Sequence, residues 1–177
     1  MTPELKIKLL IEHRPWETEP DRLDWVHEPT RYKCKIRRHA YSLHLNGYVG
    51  IPYGHVWYRQ DYNDTNVPQP GVHGGVTFTG RMPETKGRAV WWVGFDCGHA
   101  SDLSPGVVMQ LLNTKYEGTA HLHLFDLFDE YTEYRDMDYV RNQCNALADG
   151  LYRLNEDYTL ARVMLAAQKA NNVRGKK

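Results

Sequence analysis

Two groups of apolar residues, separated by a polar stretch, predict a hairpin in the centre of the chain, over residues 71–102. β-branched and aromatic residues recur within 72–78 and again within 90–95, which is the composition of two strands. The residues between them, 80–87, contain one proline and two glycines and indicate a loop longer than a tight turn. Antiparallel pairing then brings the start of the first strand level with the end of the second.

Two more strands are predicted before this hairpin. Residues 32–37 alternate between apolar and basic side chains, which indicates a half-buried strand with Cys34 in the core. Residues 41–51 predict the next strand, which can bend at its glycines. The alternation in 3–13 favours a further strand, whereas 15–29, with three prolines and two tryptophans, indicates an irregular segment.

A first helix is predicted to begin near Pro105, because proline suits the first turn of a helix. Three side chains before it are candidate caps: Ser101, Asp102 and Ser104. The apolar residues of its predicted buried face are Val107, Val108, Leu111 and Leu112. The pattern within 118–128 is compatible with either extended structure or a short turn.

From Thr132 onward the apolar residues recur at spacings of three and four, which predicts a helix with one buried stripe. The stripe consists of Tyr139, Val140, Cys144, Leu147, Leu151 and Leu154. Asp157 is a candidate cap for a separate last helix that ends near residue 171 or 172. The apolar residues of that helix are Leu160, Val163, Met164 and Ala167.

These elements predict a single α+β domain over residues 1–177: a twisted antiparallel sheet of four or five strands with C-terminal helices packed on one face. An irregular N-terminal segment over 1–30 precedes a sheet-rich core over 31–130. The helices occupy 131–172, and 173–177 form a frayed tail.

Composition narrows the class of protein. Lys and Arg together number 22 and so do Asp and Glu, so no bulk charge attracts nucleic acid or a membrane surface. No stretch approaches the length that spans a membrane. The three cysteines are far apart in the sequence, which fits a reducing compartment. We therefore expect a cytoplasmic protein without membrane contact, and a homo-oligomer remains open.

The predicted hairpin brings chemically active side chains together. His73, Gly74 and Gly75 precede its first strand, and Asp96 and His99 follow its second. Glycines there allow a ligand to approach the backbone closely. The sequence therefore predicts a functional site at this end of the hairpin.

Two reactive chemistries are compatible with these residues. His73, Asp96, His99 and Asp102 are ligand types for a divalent metal, although none of their spacings is diagnostic. In the plainer alternative the histidines bond backbone groups and Asp102 caps the helix. Cys97 is a candidate nucleophile with His73 or His99 as its base, but a cysteine after Phe95 is more simply a buried apolar residue.

A third interpretation of the same residues is a site that binds a ligand without a chemical reaction. His73 and the Gly74 and Gly75 amides would contact an anionic ligand, Asp96 and His99 would orient it, and the start of the helix near Pro105 would add a positive end. The side chains available as an apolar wall or as charge partners are Tyr48, Trp91, Trp92, Arg37, Arg81 and Arg88. In the alternative the glycines only curve the strand.

A nucleic-acid module has one argument in its favour, the basic residues of RYKCKIRRH at 31–39. The balanced total charge argues against it and favours a solvated sheet face.

Four motifs carry a resemblance to a known family: GYVGIPYGH at 47–55, VHGGVTF at 72–78, WWVGFDCGHASD at 91–102 and YRDMDYV at 134–140. In these motifs the chain resembles a family of small uncharacterised proteins encoded by tailed bacteriophages and prophages. The resemblance covers most of residues 31–150. It implies a bacterial host cytoplasm as the setting and a phage accessory role, a category that includes inhibitors of host defence that sequester or cleave nucleotide signals.

The function expected from the sequence is the binding of a small polar, nucleotide-like ligand at the end of the central hairpin, in a role that counters host defence signalling. One alternative is a hydrolase that uses a metal, or His73, Asp96 and His99 as acid and base, on a phosphate-containing substrate. The other is a protein-binding inhibitor that needs no pocket.

Overall fold

Five antiparallel strands form one open sheet in the order β1-β2-β3-β5-β4. The computed structural model describes residues 3–64, 68–83, 90–113 and 131–174. The strands are β1 (Arg22–Val26), β2 (Lys33–Arg38), β3 (Leu45–Ile51), β4 (Phe78–Gly80) and β5 (Trp91–Asp96). The helices are α1 (Pro3–His13), α2 (Pro15–Thr18), α3 (Pro105–Asn113) and α4 (Met137–Arg174).

One face of the sheet forms the main core. Cys34, Val49 and Val93 lie side by side across β2, β3 and β5, and all three are buried. The buried stripe of α4 packs against this face: Val140, Cys144, Leu147 and Leu151. This confirms the predicted α+β fold, with a C-terminal helix on an antiparallel sheet.

A glycine in β3 allows the helix and the neighbouring strand to approach closely. A Cβ atom on Gly47 would lie 2.4 Å from the ring of Phe95 and 2.6 Å from the Sγ atom of Cys144. Cys144 is fully buried at this contact, so its predicted packing role is confirmed. The helix end nearest the functional site is therefore held tightly against the sheet.

The N-terminal part of the chain differs from the prediction. Residues 3–13 form helix α1, so the predicted strand is wrong. Leu10 and Ile11, adjacent on the helix, pack against a small cluster around Trp16, and this tertiary contact outweighs the local alternation. The segment 15–29 holds α2 and the edge strand β1, not the irregular chain that was predicted. Charged and aromatic residues in this segment obscure the two-residue period of β1.

Three further details differ from the prediction. Val107 is exposed, whereas Val108 is buried as predicted. The helix predicted from Thr132 begins at Met137 and runs without a break through Asp157, so the separate last helix is wrong. The strand predicted over 72–78 is reduced to Phe78–Gly80, because Gly74 and Gly75 have positive φ angles that an extended strand does not contain. The predictions for 118–128 and Arg88 lie outside the described residues.

Within the described residues, no helix combines the length and the apolar character needed to cross a membrane.

Candidate functional site

A buried carboxylate, Asp102, is the centre of the site. Its side chain has no exposed surface, and its Oδ2 atom accepts from Nε2 of His73 at 2.8 Å. The same oxygen accepts from the backbone N–H of His99 at 3.1 Å and from its ring Nδ1 at 3.2 Å. The other oxygen, Oδ1, accepts from Nε of Arg135 at 2.9 Å. Asp102 thus receives four bonds and does not act as the predicted helix cap.

Backbone pairing outside the main sheet delivers Arg135 to this carboxylate. Asp102 and Glu133 form an isolated parallel bridge, in which Leu103 N–H donates to the Glu133 carbonyl oxygen at 2.8 Å and Glu133 N–H donates to that of Ser101 at 3.0 Å. The Arg135 guanidinium also pairs with the Glu133 carboxylate. The chain just before α4 is therefore fixed against the loop that follows β5.

His73 is held from two further directions by α4. The Tyr139 hydroxyl lies 2.9 Å from Nδ1 of His73, and the Gln143 side-chain oxygen accepts from the His73 backbone N–H at 3.0 Å. Only 11% of the His73 side chain is exposed. Both of its ring nitrogens are occupied, so His73 is a fixed part of the scaffold.

His99 is the more accessible of the two histidines, with 33% of its side chain exposed. Its ring centroid lies 5.3 Å from that of His73. The predicted convergence of the two segments is therefore present in the structure. Among the described residues, the bonds of the His99 ring all involve Nδ1, which leaves Nε2 as its unoccupied nitrogen.

The backbone of Gly74 covers the His99 ring. Gly74 has a φ angle of 63°, and a Cβ atom there would lie 2.0 Å from Cε1 and 2.2 Å from Nε2 of His99. Gly75 has a φ angle of 86°, and a Cβ atom on it would have no neighbouring atom of the described residues within 4 Å. The glycine pair thus makes a tight turn that seats the imidazole, and the Gly75 N–H is bonded to the Val72 carbonyl oxygen at 3.0 Å.

The charge of Asp102 determines the tautomers of both histidines. Burial by itself raises the pKa of Asp102, but the bonds from His73, Arg135 and the His99 backbone outweigh it and bring the pKa below its usual value. An ionised carboxylate only accepts hydrogen bonds, so His73 Nε2 and His99 Nδ1 both carry protons. The remaining nitrogen of His99, Nε2, is then the basic one.

Asp96 lies at the edge of this site and does not share its central contacts. Its Oδ1 atom accepts from the Gly98 backbone N–H at 3.0 Å and lies 4.0 Å from Nδ1 of His99. Burial raises its pKa, and bonds from Thr77 and Gly98 lower it further than burial raises it. Asp96 therefore shapes the loop that carries His99.

Two more histidines, between β2 and β3, extend the site at the same end of the sheet. The rings of His39 and His44 are stacked with centroids 5.0 Å apart, and the Ser42 hydroxyl lies 2.6 Å and 2.9 Å from their Nδ1 atoms. A Cβ atom on Gly98 would lie 2.9 Å from Cε1 of His44. The His39 and His44 pair therefore adjoins the loop of His99.

Several other predicted contributors lie elsewhere. Trp91 and Trp92 pair with Ile51 and Gly50 at the opposite end of β5, so they do not line this site. The backbone N–H of Gly106 donates to the Ser42 carbonyl oxygen at 2.9 Å, which occupies a donor at the start of α3. Of the residues predicted to bind a ligand, His73 and His99 lie at the centre of the site, whereas Trp91 and Trp92 lie outside it.

Cys97 is buried beside the site and is not available as a nucleophile. Its exposed fraction is 1%, and burial raises the pKa of its thiol, as do the negative charges of Asp102 and Asp96. A thiol that stays protonated is a weak nucleophile. Cys97 acts as an apolar residue in the core.

A metal ion is one group that this cluster could hold, since His73, His99 and Asp102 each offer a ligand atom and these atoms lie within 4.8 Å of one another. Two ligands of a tetrahedral zinc ion are about 3.3 Å apart, given bond lengths near 2 Å. The 2.8 Å between His73 Nε2 and Asp102 Oδ2 is a hydrogen-bond distance instead. The cationic Arg135 on the same carboxylate also disfavours a metal cation.

Three residues of the site were missed by the sequence reasoning: Arg135, Tyr139 and Gln143. Arg135 and Tyr139 lie within the YRDMDYV motif, but Tyr139 was assigned to the apolar stripe of the helix. The spacing of four between Tyr139 and Gln143 is the available signal, because both lie in α4 and residues four apart share a helix face. Arg135 precedes the helix.

Fold and site together define the chain as an open antiparallel α+β domain with a buried aspartate that orients two histidines. No family model, curated protein or solved structure matches it.

Proposed function

We propose that this chain is a hydrolase that acts by acid–base chemistry on a small phosphate-containing substrate, with His99 as the general base. The observation that carries the proposal is the Asp102 and His99 pair. A buried carboxylate binds Nδ1, and the basic Nε2 belongs to a partly exposed ring. This is the arrangement that orients an imidazole for proton transfer.

The proposed reaction is a hydrolysis of a phosphate ester. His99 takes a proton from water through Nε2, the oxygen attacks phosphorus, and the bond between phosphorus and the leaving oxygen breaks. The imidazolium then returns its proton to the leaving oxygen. Asp102 stabilises the imidazolium, while His73, Tyr139 and Arg135 hold Asp102 and its surroundings in place.

The substrate class is proposed from an open hollow of about 460 Å³ that is lined by His39 of the neighbouring histidine pair. Its lining includes Arg22, which offers a charge partner for an anionic group, while Arg37 and Arg38 already pair with carboxylates. His39 connects the hollow to His44 and thus to the loop of His99. A nucleotide or a related phosphodiester has the required charge.

The test is incubation of the purified chain with cyclic dinucleotides and ADP-ribose derivatives, followed by heat release and chromatography. We expect at least one compound to be converted to product. His99→Gln should lower the rate by about 10²- to 10⁴-fold, because the base is lost. Asp102→Asn should also lower it, while His13→Gln, an exposed histidine on α1, should not.

Two results would contradict the proposal. Recovery of a tightly bound compound intact would instead make the chain a sequestering protein. Loss of activity with a chelator, restored by zinc or manganese, would instead support the metal-dependent alternative at His73, His99 and Asp102.

A further inference from the structure

The distal half of α4 leaves the body of the protein. The helix has 38 residues, which corresponds to a length of about 57 Å. Its buried stripe ends at Leu151, and every residue from Glu156 to Lys169 is exposed. A solitary helix of this length is marginal in water, because most helical stability in proteins comes from packing.

This exposed segment is rich in apolar side chains. Between about half and three fifths of each is exposed: Tyr158, Leu160, Val163, Met164 and Leu165. Scattered apolar residues are normal on a surface, but a contiguous group on one element marks an interaction surface.

The stripe that packs on the sheet continues into the exposed segment. In the buried half, its members are spaced by four, three and four: Val140, Cys144, Leu147 and Leu151. After a further step of three, the same spacing gives Leu154, Tyr158, Ala161 and Leu165. We call these last four residues the distal seam. Leu154 is half-buried, and Tyr158 and Leu165 are the exposed large apolar side chains of the distal seam. An alternation of four and three is the repeat of a coiled coil.

The acidic residues of the distal segment precede its basic residues. Glu156 and Asp157 lie at its start, and Arg162 and Lys169 follow. In an antiparallel pair of distal seams, Asp157 of one helix lies level with Arg162 of the other. A parallel pair would instead place like charges together and crowd the two protein bodies at one end.

We infer that the distal seam binds the distal seam of a second copy of this chain, as an antiparallel two-helix interface. A second copy is the expected partner, because the apolar spacing and the charges of one distal segment complement those of an identical segment in the antiparallel orientation. The two sheet domains then lie at opposite ends of the helix pair.

The first test is the mass of the full chain by light scattering coupled to size-exclusion chromatography. We expect a dimer at micromolar concentration. Leu165→Glu, on the distal seam, should give a monomer with an unchanged circular dichroism signal from the sheet domain. Thr159→Glu adds the same charge off the distal seam and should remain a dimer. A monomeric parent chain, or a dimer that survives Leu165→Glu, would overturn the inference.

The orientation is tested by disulfide formation, since Cys34, Cys97 and Cys144 are all buried. Copies with Leu154→Cys are mixed with copies with Leu165→Cys, the residue that an antiparallel pair places level with position 154, and oxidised. An antiparallel pair gives the mixed disulfide, whereas a parallel pair gives only disulfides between identical copies and would refute the orientation. A monomer that sediments with anionic vesicles would assign the distal seam to a lipid surface and refute the inference entirely.

Discussion

At the scale of single residues, the site depends on one buried charge and one missing side chain. Asp102 accepts bonds from three residues that are far apart in the sequence, and Gly74 leaves room for one of them, His99. Gly74 of the HGG sequence therefore has two roles: it forms the turn, and it leaves space for the imidazole of His99.

Substitution of the two neighbouring glycines separates these roles. Gly74→Ala should destabilise the protein by about 2 to 3 kcal/mol, because it adds a collision with His99 to the strain of a positive φ angle. Gly75→Ala has the strain alone and should cost about 1 kcal/mol. The measurement is urea unfolding, together with the NMR shift of the His99 Cε1 proton. Equal costs and an unmoved His99 resonance would show that the contact with the ring is unimportant.

At the scale of elements, α4 is the support for both the sheet and the site. Its buried stripe packs on β2 and β3, while Tyr139 and Gln143 bind His73. A loop after β3 is also attached to this helix through His55, whose Nε2–H donates to the Leu151 carbonyl oxygen at 3.0 Å. Nδ1 of His55 accepts from the Trp57 backbone N–H, so neither ring nitrogen is free for a second proton.

The attachment at His55 predicts a loss of stability in mild acid. Burial lowers the pKa of His55 to about 4, whereas the unfolded chain has a value near 6.5. Because the folded pKa is the lower one, the stabilisation is complete above pH 6.5 and is lost as the pH falls from 6.5 to 4. The free energy of unfolding should fall by about 2 kcal/mol between pH 8 and pH 5 from this residue.

Urea unfolding at the two pH values measures this loss, and His55→Gln is the variant that cannot gain a proton. Its stability should be lower at pH 8 but should change less between pH 8 and pH 5. A pH dependence equal to that of the parent chain would place the titrating group elsewhere.

At the scale of the whole molecule, a second buried charge joins the N-terminal segment, the sheet and the start of α4. Arg38 of β2 has 5% of its side chain exposed and bonds the Glu19 carboxylate at 3.1 Å and that of Asp21 at 2.9 Å. The Tyr134 hydroxyl donates to Glu19 at 2.5 Å, and the Met137 backbone N–H donates to its other oxygen at 3.2 Å. Glu19 thus connects three parts of the chain.

The two carboxylates on Arg38 provide a matched comparison, because Glu19 is mostly buried and Asp21 is 76% exposed. Glu19→Gln should cost about 3 kcal/mol, since it leaves a buried guanidinium with less compensation. Asp21→Asn should cost less than about 1 kcal/mol, as is usual for exposed pairs. Chemical unfolding of both variants checks this, and similar costs would mean that burial does not determine the value of the pair.

Local patterns determined a large part of this protein. Alternation predicted β2, runs of apolar and aromatic residues predicted β3 and β5, and the spacing of apolar residues predicted the buried stripe of α4, because each of these elements packs on the core. The proximity of His73 and His99 also followed from the sequence, since it needs only the antiparallel pairing of neighbouring strands.

Tertiary structure alone decided the rest. The order of the five strands, the helical state of 3–13 and the edge strand β1 depend on partners distant in the sequence. Asp102 is the centre of the site because His73, His99 and Arg135, from three separate segments, bond to it. The residues adjacent to it in the sequence instead predict a helix cap. Arg135 reaches Asp102, and Tyr139 reaches His73, only once α4 has packed on the sheet. A local pattern records which face of an element is buried, whereas the partners of a buried charge depend on the complete three-dimensional arrangement.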